Sequence, residues 1–233
     1  MRLLMCIAVL IAAVAAKDEC RDNVQLACSQ SGSVKCNALY GGFKHAERSL
    51  QEYANNQLAA SFDYMILASR FNSYQKNRPG FNKLLQGLSD KAWERSIDLI
   101  KHIAKRGGEM MFGLDDSNER EDNSNLGRKV LEVDELEALS IALDTEKRLT
   151  DKAFHIHRSV SHAHHLKPED EHYTTGEMKY DPEISQYMEE EFLEYQTDTI
   201  RKLSGYTNDL AKLMSVKEPS LSVYLFDEYL AKE

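Results

Sequence analysis

From Arg128 to Lys167 the chain contains neither glycine nor proline, and from Glu183 to Glu218 only Gly205 intervenes. Segments that long without a backbone breaker are either long helices or disorder. Their apolar periodicity excludes disorder. Four prolines and eleven glycines in 233 residues are too few tight-turn residues for an all-β chain. The prolines also punctuate the pattern. Pro79, Pro168, Pro182 and Pro219 each separate two periodic stretches.

Five helices follow from that punctuation. The first is predicted over 38–71, with Leu39, Phe43, Ala46, Leu50, Tyr53, Gln57, Ala60, Tyr64 and Ala68 on one face at alternating steps of four and three. The second spans 81–105, with Phe81, Leu85, Leu88, Ala92, Leu99 and Ile103 inward. Arg106-Gly107-Gly108 stops it, a basic last turn followed by permissive residues. The third spans 129–164, aligned on Leu136, Leu139, Leu143, Glu146, Ala153 and Val160. The fourth starts after Asp181, an N-cap residue, with Pro182 in first position, and runs to Met214. A short fifth helix follows Pro219, with Leu221, Tyr224, Leu225 and Tyr229 on its apolar face. The four long helices each reach about 40 Å at 1.5 Å per residue. Residues 109–127 form a polar link long enough to run the length of a bundle and join two parallel helices. The expected fold is all-α, a four-helix bundle with one long crossover and a short fifth helix.

Arg2 followed by fourteen uncharged residues, with Val14 and Ala16 at the small-residue positions before Lys17, reads as a secretory signal over 1–16. Residues 17–37 then form an extension carrying Cys20, Cys28 and Cys36. In an oxidising compartment, three clustered thiols suggest one bridge within the chain and one cysteine left over for another subunit, a metal site or a free thiol, with connectivity open. The formal charge of −9 argues against nucleic-acid binding. No later stretch is long and apolar enough to suggest a membrane span.

Four local patterns carry a family likeness: Asn56 to Tyr64, Lys105 to Gly108, Leu193 to Gln196, and Ser222 to Leu230. In this order and spacing the sequence resembles the ferritins, and among them the secreted light-chain type of insects. The likeness covers residues 38–230. It implies the ferritin-like version of the bundle, and a shell of twenty-four subunits storing ferric mineral. Light chains of this kind co-assemble with heavy-type chains, so iron and a heavy-type partner are implied, with no organic cofactor.

Ferrous oxidation in such a bundle needs Glu residues and a Glu-x-x-His pair on facing helices, because hard oxygen ligands and imidazole hold the two irons. Carried over by resemblance, those positions fall on Gln57, Ala92, Arg95, Glu146 and Gln196, with Tyr64 as the inward tyrosine. One carboxylate survives of three, and a guanidinium stands where the family has a His. A guanidinium repels Fe²⁺ and stays charged at any working pH. Loss of the ferroxidase site is the expected outcome, with Arg95 expected to pair with Glu146 across the bundle. Asp90, Glu94 and Asp98 form a stripe on the second helix, a candidate nucleation surface or a solvated face. Other nucleation positions of the family hold Lys83, Gln86, Gly87 and Lys91. Glu189 matches a channel acid of the family, and Gln186 stands at the companion position. His155, His157, His162, His164, His165 and His172 cluster near the end of the third helix without a defined ligand set. The resemblance also implies a Cys20–Cys36 bridge within the chain and Cys28 bonded to a heavy-type chain. Two other classes compete with a storage subunit. A ferroxidase-competent heavy-type subunit requires the missing Glu-x-x-His. A secreted cytokine-like bundle would not need polar inward residues such as Gln57, Tyr64, Glu146 and Gln196.

Overall fold

The computed structural model describes residue 24 and residues 36–113, 133–161, 180–215 and 219–233. The chain divides into two units, 1–39 and 40–233. In the first, Cys36 is disulfide-bonded, while Cys20 and Cys28 lie outside the described residues. The second carries helices α1 (Phe43–Phe71), α2 (Pro79–Lys105), α3 (Glu135–Ser161), α4 (Pro182–Met188), α5 (Glu194–Met214) and α6 (Pro219–Lys232). A π-helical turn, Glu189–Leu193, joins α4 to α5, so the predicted fourth helix is one rod with a π turn inside it. Among the described residues there is no strand, only an isolated bridge between Asn72 and Asn77. None of the described helices is long and apolar enough to cross a membrane.

The first helix starts at Phe43 rather than 38, and Leu39 is exposed rather than inward. Gly41 has φ +63, a left-handed conformation that breaks the helix. A Cβ there would stand 2.9 Å from the Asp181 carboxylate, which accepts the Gly42 N–H at 3.1 Å. The third helix starts at Glu135 rather than 129, because Asp134 accepts the Glu137 N–H at 2.7 Å as an N-cap. Residues 129–132 and 162–164 lie outside the described residues.

The α1–α2 hairpin packs closely because small residues line it. Ser89 and Ser96 of α2 donate to the carbonyls of Ser61 and Ala54 on α1, at 2.8 and 3.0 Å. The Arg106-Gly107-Gly108 stop is a Schellman cap. Gly108 N–H reaches the Ile103 carbonyl, Gly107 N–H reaches Ala104, and Gly107 has φ +82. The predicted inward residues of α2 are all buried, and those of α3 are buried or half-buried.

The apolar face predicted for the last helix is not the side it buries within this chain. Leu221, Tyr224, Leu225 and Tyr229 are exposed, and Val223, Phe226, Asp227 and Leu230 face inward. α6 is apolar nearly all round, so periodicity could not choose its buried side. What chooses it is Asp227. Arg78, at the N-cap of α2, makes no side-chain cap, and Asp227 accepts the Phe81 N–H at 3.0 Å in its stead. Phe226 packs against Phe81 and Tyr206. The approach is so close that a Cβ on Gly80 would sit 2.0 Å from the Asp227 carbonyl oxygen.

Candidate functional site

Gln57 and Tyr64 project from α1, Ala92 and Arg95 from α2, Glu146 from α3 and Gln196 from α5. All but Arg95 are buried. Two hydrogen-bonded groups share this interior. Tyr64 Oη donates to Glu146 Oε1 at 2.8 Å and lies 3.3 Å from the Ala142 carbonyl. Gln57 Nε2 and Gln196 Nε2 both donate to Tyr53 Oη, at 2.8 and 3.0 Å. Burial pushes the Glu146 carboxyl above its ordinary range, and the Tyr64 hydrogen bond and Arg95 only partly oppose it. Burial likewise pushes both tyrosine hydroxyls up. The interior is thus a set of amides, phenols and one carboxyl biased toward its neutral form. Gln196 Oε1 is buried without a partner among the described residues.

The expected ion pair between Arg95 and Glu146 is not formed. The Arg95 guanidinium carbon lies over the Tyr195 ring, 3.2 Å from its centroid, and Nε donates to the Glu191 carbonyl at 3.1 Å. Stacking on an aromatic face and bonding to a carbonyl of the π turn leave the charge half-solvated. That is less costly than burying it beside Glu146. Sequence reasoning placed Tyr53 inward but missed it as the hub. The signal was Gln57, one turn away at i+4. Nothing local in the sequence announced Tyr195 as the platform for Arg95.

The acidic stripe is present on the exposed side of α2, with each acid occupied. Asp90 accepts from Gln86 at 2.9 Å, Glu94 pairs with Lys91 at 2.7 Å, and Asp98 pairs with Lys101 at 2.9 Å. Glu189 is exposed on the π turn, with His157 Nε2 3.8 Å from its carboxylate. These two residues and Gln186 line a pocket of about 560 Å3. His155 belongs to α3 as well, while His162, His164, His165 and His172 lie outside the described residues. Among the described residues, no three His, Cys, Asp or Glu side chains converge with metal-holding geometry.

A second polar cluster, unforeseen in the sequence, ties α2 to the starts of α1 and α4. Arg106 is 1% exposed. Its guanidinium grips Asp181 with two bonds, at 2.7 and 3.3 Å, bonds Glu183, and donates to the Tyr40 carbonyl at 3.0 Å. Asp181 simultaneously caps α4 through the Ile184 N–H, confirming the predicted N-cap. Burial alone would raise the Asp181 carboxyl, but Arg106 and the backbone donors hold it below the usual range. His102 stacks on Tyr187 at 3.8 Å, and burial pushes its imidazole down, against the pull of Glu183.

No family model matches the sequence. The chain is 49% identical to the ferritin light chain of Drosophila melanogaster over 95% of this chain and 93% of that protein. It is 42% identical to the ferritin light chain of Trichoplusia ni, over 93% and 91%. The fold overlays a crystal structure of Trichoplusia ni secreted ferritin with a TM-score of 0.74 at 40% identity, covering 91% of this chain and 98% of that one. With a helical order that fits the crossover bundle, with Gln57, Tyr64, Glu146 and Gln196 gathered in its interior, and with light-chain relatives along almost its whole length, the chain belongs to the ferritin family.

Proposed function

We propose that this chain is a light-type storage subunit that binds ferric iron and supports mineral deposition without a ferroxidase site of its own. The carrying observation is the state of the bundle interior. Its one carboxyl among the family's ligand positions, Glu146, is engaged by Tyr64, and Gln57 and Gln196 are engaged by Tyr53. Ala92 has no donor to offer, and Arg95, stacked on Tyr195, stands with its positive charge at the position where the family has a His. Two ferrous ions would meet two amides, a single carboxyl and a cation where they need several anionic oxygens.

In this reading residues 1–16 are a signal peptide, 17–37 a cysteine-bearing extension and 38–230 the ferritin domain. The secreted ferritin of Trichoplusia ni supports a secretory route. The subunit joins heavy-type chains in a shell of twenty-four, with Cys20 bridged to Cys36 and Cys28 bonded to a heavy-type chain. Cys36 being disulfide-bonded supports a bridge in the extension. Glu189 lines an entry channel, where its exposed carboxylate attracts cations. Asp90, Glu94 and Asp98 nucleate mineral only after giving up Gln86, Lys91 and Lys101, so nucleation on this chain is slow.

The test is anaerobic loading of the purified, assembled chain with Fe²⁺, followed by oxygen, reading ferric absorbance against a protein-free control. The expected trace matches the control in its initial rate. Fast oxidation saturating at two irons per chain would mean that the interior builds a working centre and would overturn the proposal in favour of a heavy-type subunit.

A further inference from the structure

His102 stands in the last turn of α2, and its side chain is 7% exposed. The imidazole lies parallel to the Tyr187 ring of α4, with 3.8 Å between centroids and 5° between planes. Tyr187 in turn meets Phe192 of the π turn edge-on at 5.9 Å, and Phe192 meets Tyr53 of α1 at 5.1 Å. This row of four rings clamps α4 and the π turn to α2 and leads on to α1.

The clamp suits a neutral imidazole. Nε2 makes no hydrogen bond among the described residues. Glu183 Oε2 is 3.4 Å away, but the Arg106 guanidinium already binds that same oxygen. Asp181 is likewise held by Arg106, and Asp98 by Lys101. Around the ring stand Glu183 and Tyr187 of α4, Asp181 at its N-cap, Glu191 of the π turn, and Asp98, Lys101, Lys105 and Arg106 of α2. A proton on His102 therefore sets a second cation beside Arg106, on an anion already in use, where water reaches little of it. The Tyr187 face attracts an imidazolium, but more weakly than burial penalises it. Burial accordingly holds the imidazole below its ordinary range. Glu183 and Asp181 oppose that, and Arg106 and Lys105 reinforce it.

We propose that His102 is an acid-sensitive latch: its protonation breaks the stack on Tyr187 and frees α4 and the π turn from α2 while the rest of the bundle stays folded. The sign follows from linkage. A base whose folded value is depressed contributes stability that is complete above its unfolded value, about 6.5, and is lost as pH falls below it. The loosened segment carries Glu189, but the latch does not depend on the role proposed for that residue.

The experiment is hydrogen–deuterium exchange of the assembled protein, read by mass spectrometry on peptides across 182–193 at pH 7.5 and 5.5 and corrected for intrinsic exchange. Opening of this segment is expected to rise severalfold at pH 5.5. About tenfold is the ceiling for one proton on a group whose open value is about 6.5. Peptides from the middle of α3 are expected to stay protected at both pH values. His102→Phe keeps a flat ring on Tyr187 but cannot titrate, and is expected to lose the acid response. Two charge variants read the latch without touching the stack. Lys105→Gln removes an exposed cation and should move the midpoint of opening to higher pH. Glu183→Gln removes the opposing anion and should move it to lower pH. An acid response that survives in His102→Phe would belong to another base, such as His157 beside Glu189 on the α3 side, and would overturn the proposal. So would equal protection at both pH values in wild type, or a midpoint that stays fixed in both charge variants.

Discussion

Replacing Arg106 by alanine strips one end of the bundle of its only described link between three helix ends. The wild-type guanidinium makes four hydrogen bonds, two of them to Asp181, and its side chain and that of Asp181 are 1% and 2% exposed. In the variant Asp181 keeps only the Gly42 and Ile184 amides. Glu183 is 42% exposed, so water replaces most of what it loses. The cost is set by the stranded Asp181 charge, and breaking a buried pair in this way costs about 3–5 kcal/mol. For a domain of this size each kcal/mol moves Tm by about 2–4 °C. Calorimetry at matched protein concentration should therefore show a loss of about 6–20 °C at pH 7. The pH dependence sharpens the test. A carboxyl held below its ordinary range contributes stability that is complete above the unfolded-state value, about 3.9, and is lost as pH falls toward the depressed one. The gap between wild type and Arg106→Ala must therefore narrow as the pH drops below about 4. A Tm change under 2 °C at pH 7, or a gap as wide at pH 3 as at pH 7, would refute the reasoning. Arg106→Lys should recover only part of the loss, because an ammonium cannot fork onto both Asp181 oxygens.

Gly80→Ala should destabilise by about 1–3 kcal/mol in urea unfolding, since its methyl would overlap the Asp227 carbonyl. Gly87→Ala, the same change in open space, should stabilise by about 0.5–1 kcal/mol. Equal effects at the two positions would contradict the packing described for α6. Glu146 is a carboxyl raised by burial, so its contribution is present at low pH and fades as pH rises through its folded value. Glu146→Gln should accordingly melt level with wild type at pH 4 and above it at pH 8, a comparison for circular dichroism. Arg95→Ala, by contrast, removes a half-solvated stack and should shift stability by about 1 kcal/mol or less.

What the sequence disclosed divides along physical lines. Long helices, their order and the inward faces of α1, α2 and α3 were legible because burial writes a 3.6-residue period. The Asp181-Pro182 start and the Gly107-Gly108 stop were legible because caps are local chemistry. The start of α1 was misplaced because Gly41 and Gly42 answer to Asp181, 139 residues away from Gly42. The buried face of α6 was not legible for the same kind of reason. Either face is apolar, and the choice lies with an α2 amide that has no other cap. Within the interior, the residue types announced a polar, inward-facing set, but not its hydrogen bonding. Arg95 was free to choose between a buried carboxylate and a half-buried ring. The balance of desolvation against stacking that decides this depends on Tyr195 and on the Glu191 carbonyl of the π turn.

The cap that Asp227 places on α2 spans 146 residues of chain, and this separation governs timing. Contacts so remote close late, after the α1–α2 hairpin has formed from neighbouring segments. While the chain is being made, α2 must therefore stand with its first amides bare, and α6 arrives as a seal rather than as part of the nucleus. Interactions absent from the folding transition state slow unfolding without speeding folding. The docking of α6 is thus expected to lengthen the lifetime of the folded subunit more than it speeds folding, so that Gly80→Ala should raise the unfolding rate and leave the refolding rate nearly unchanged in stopped-flow urea jumps.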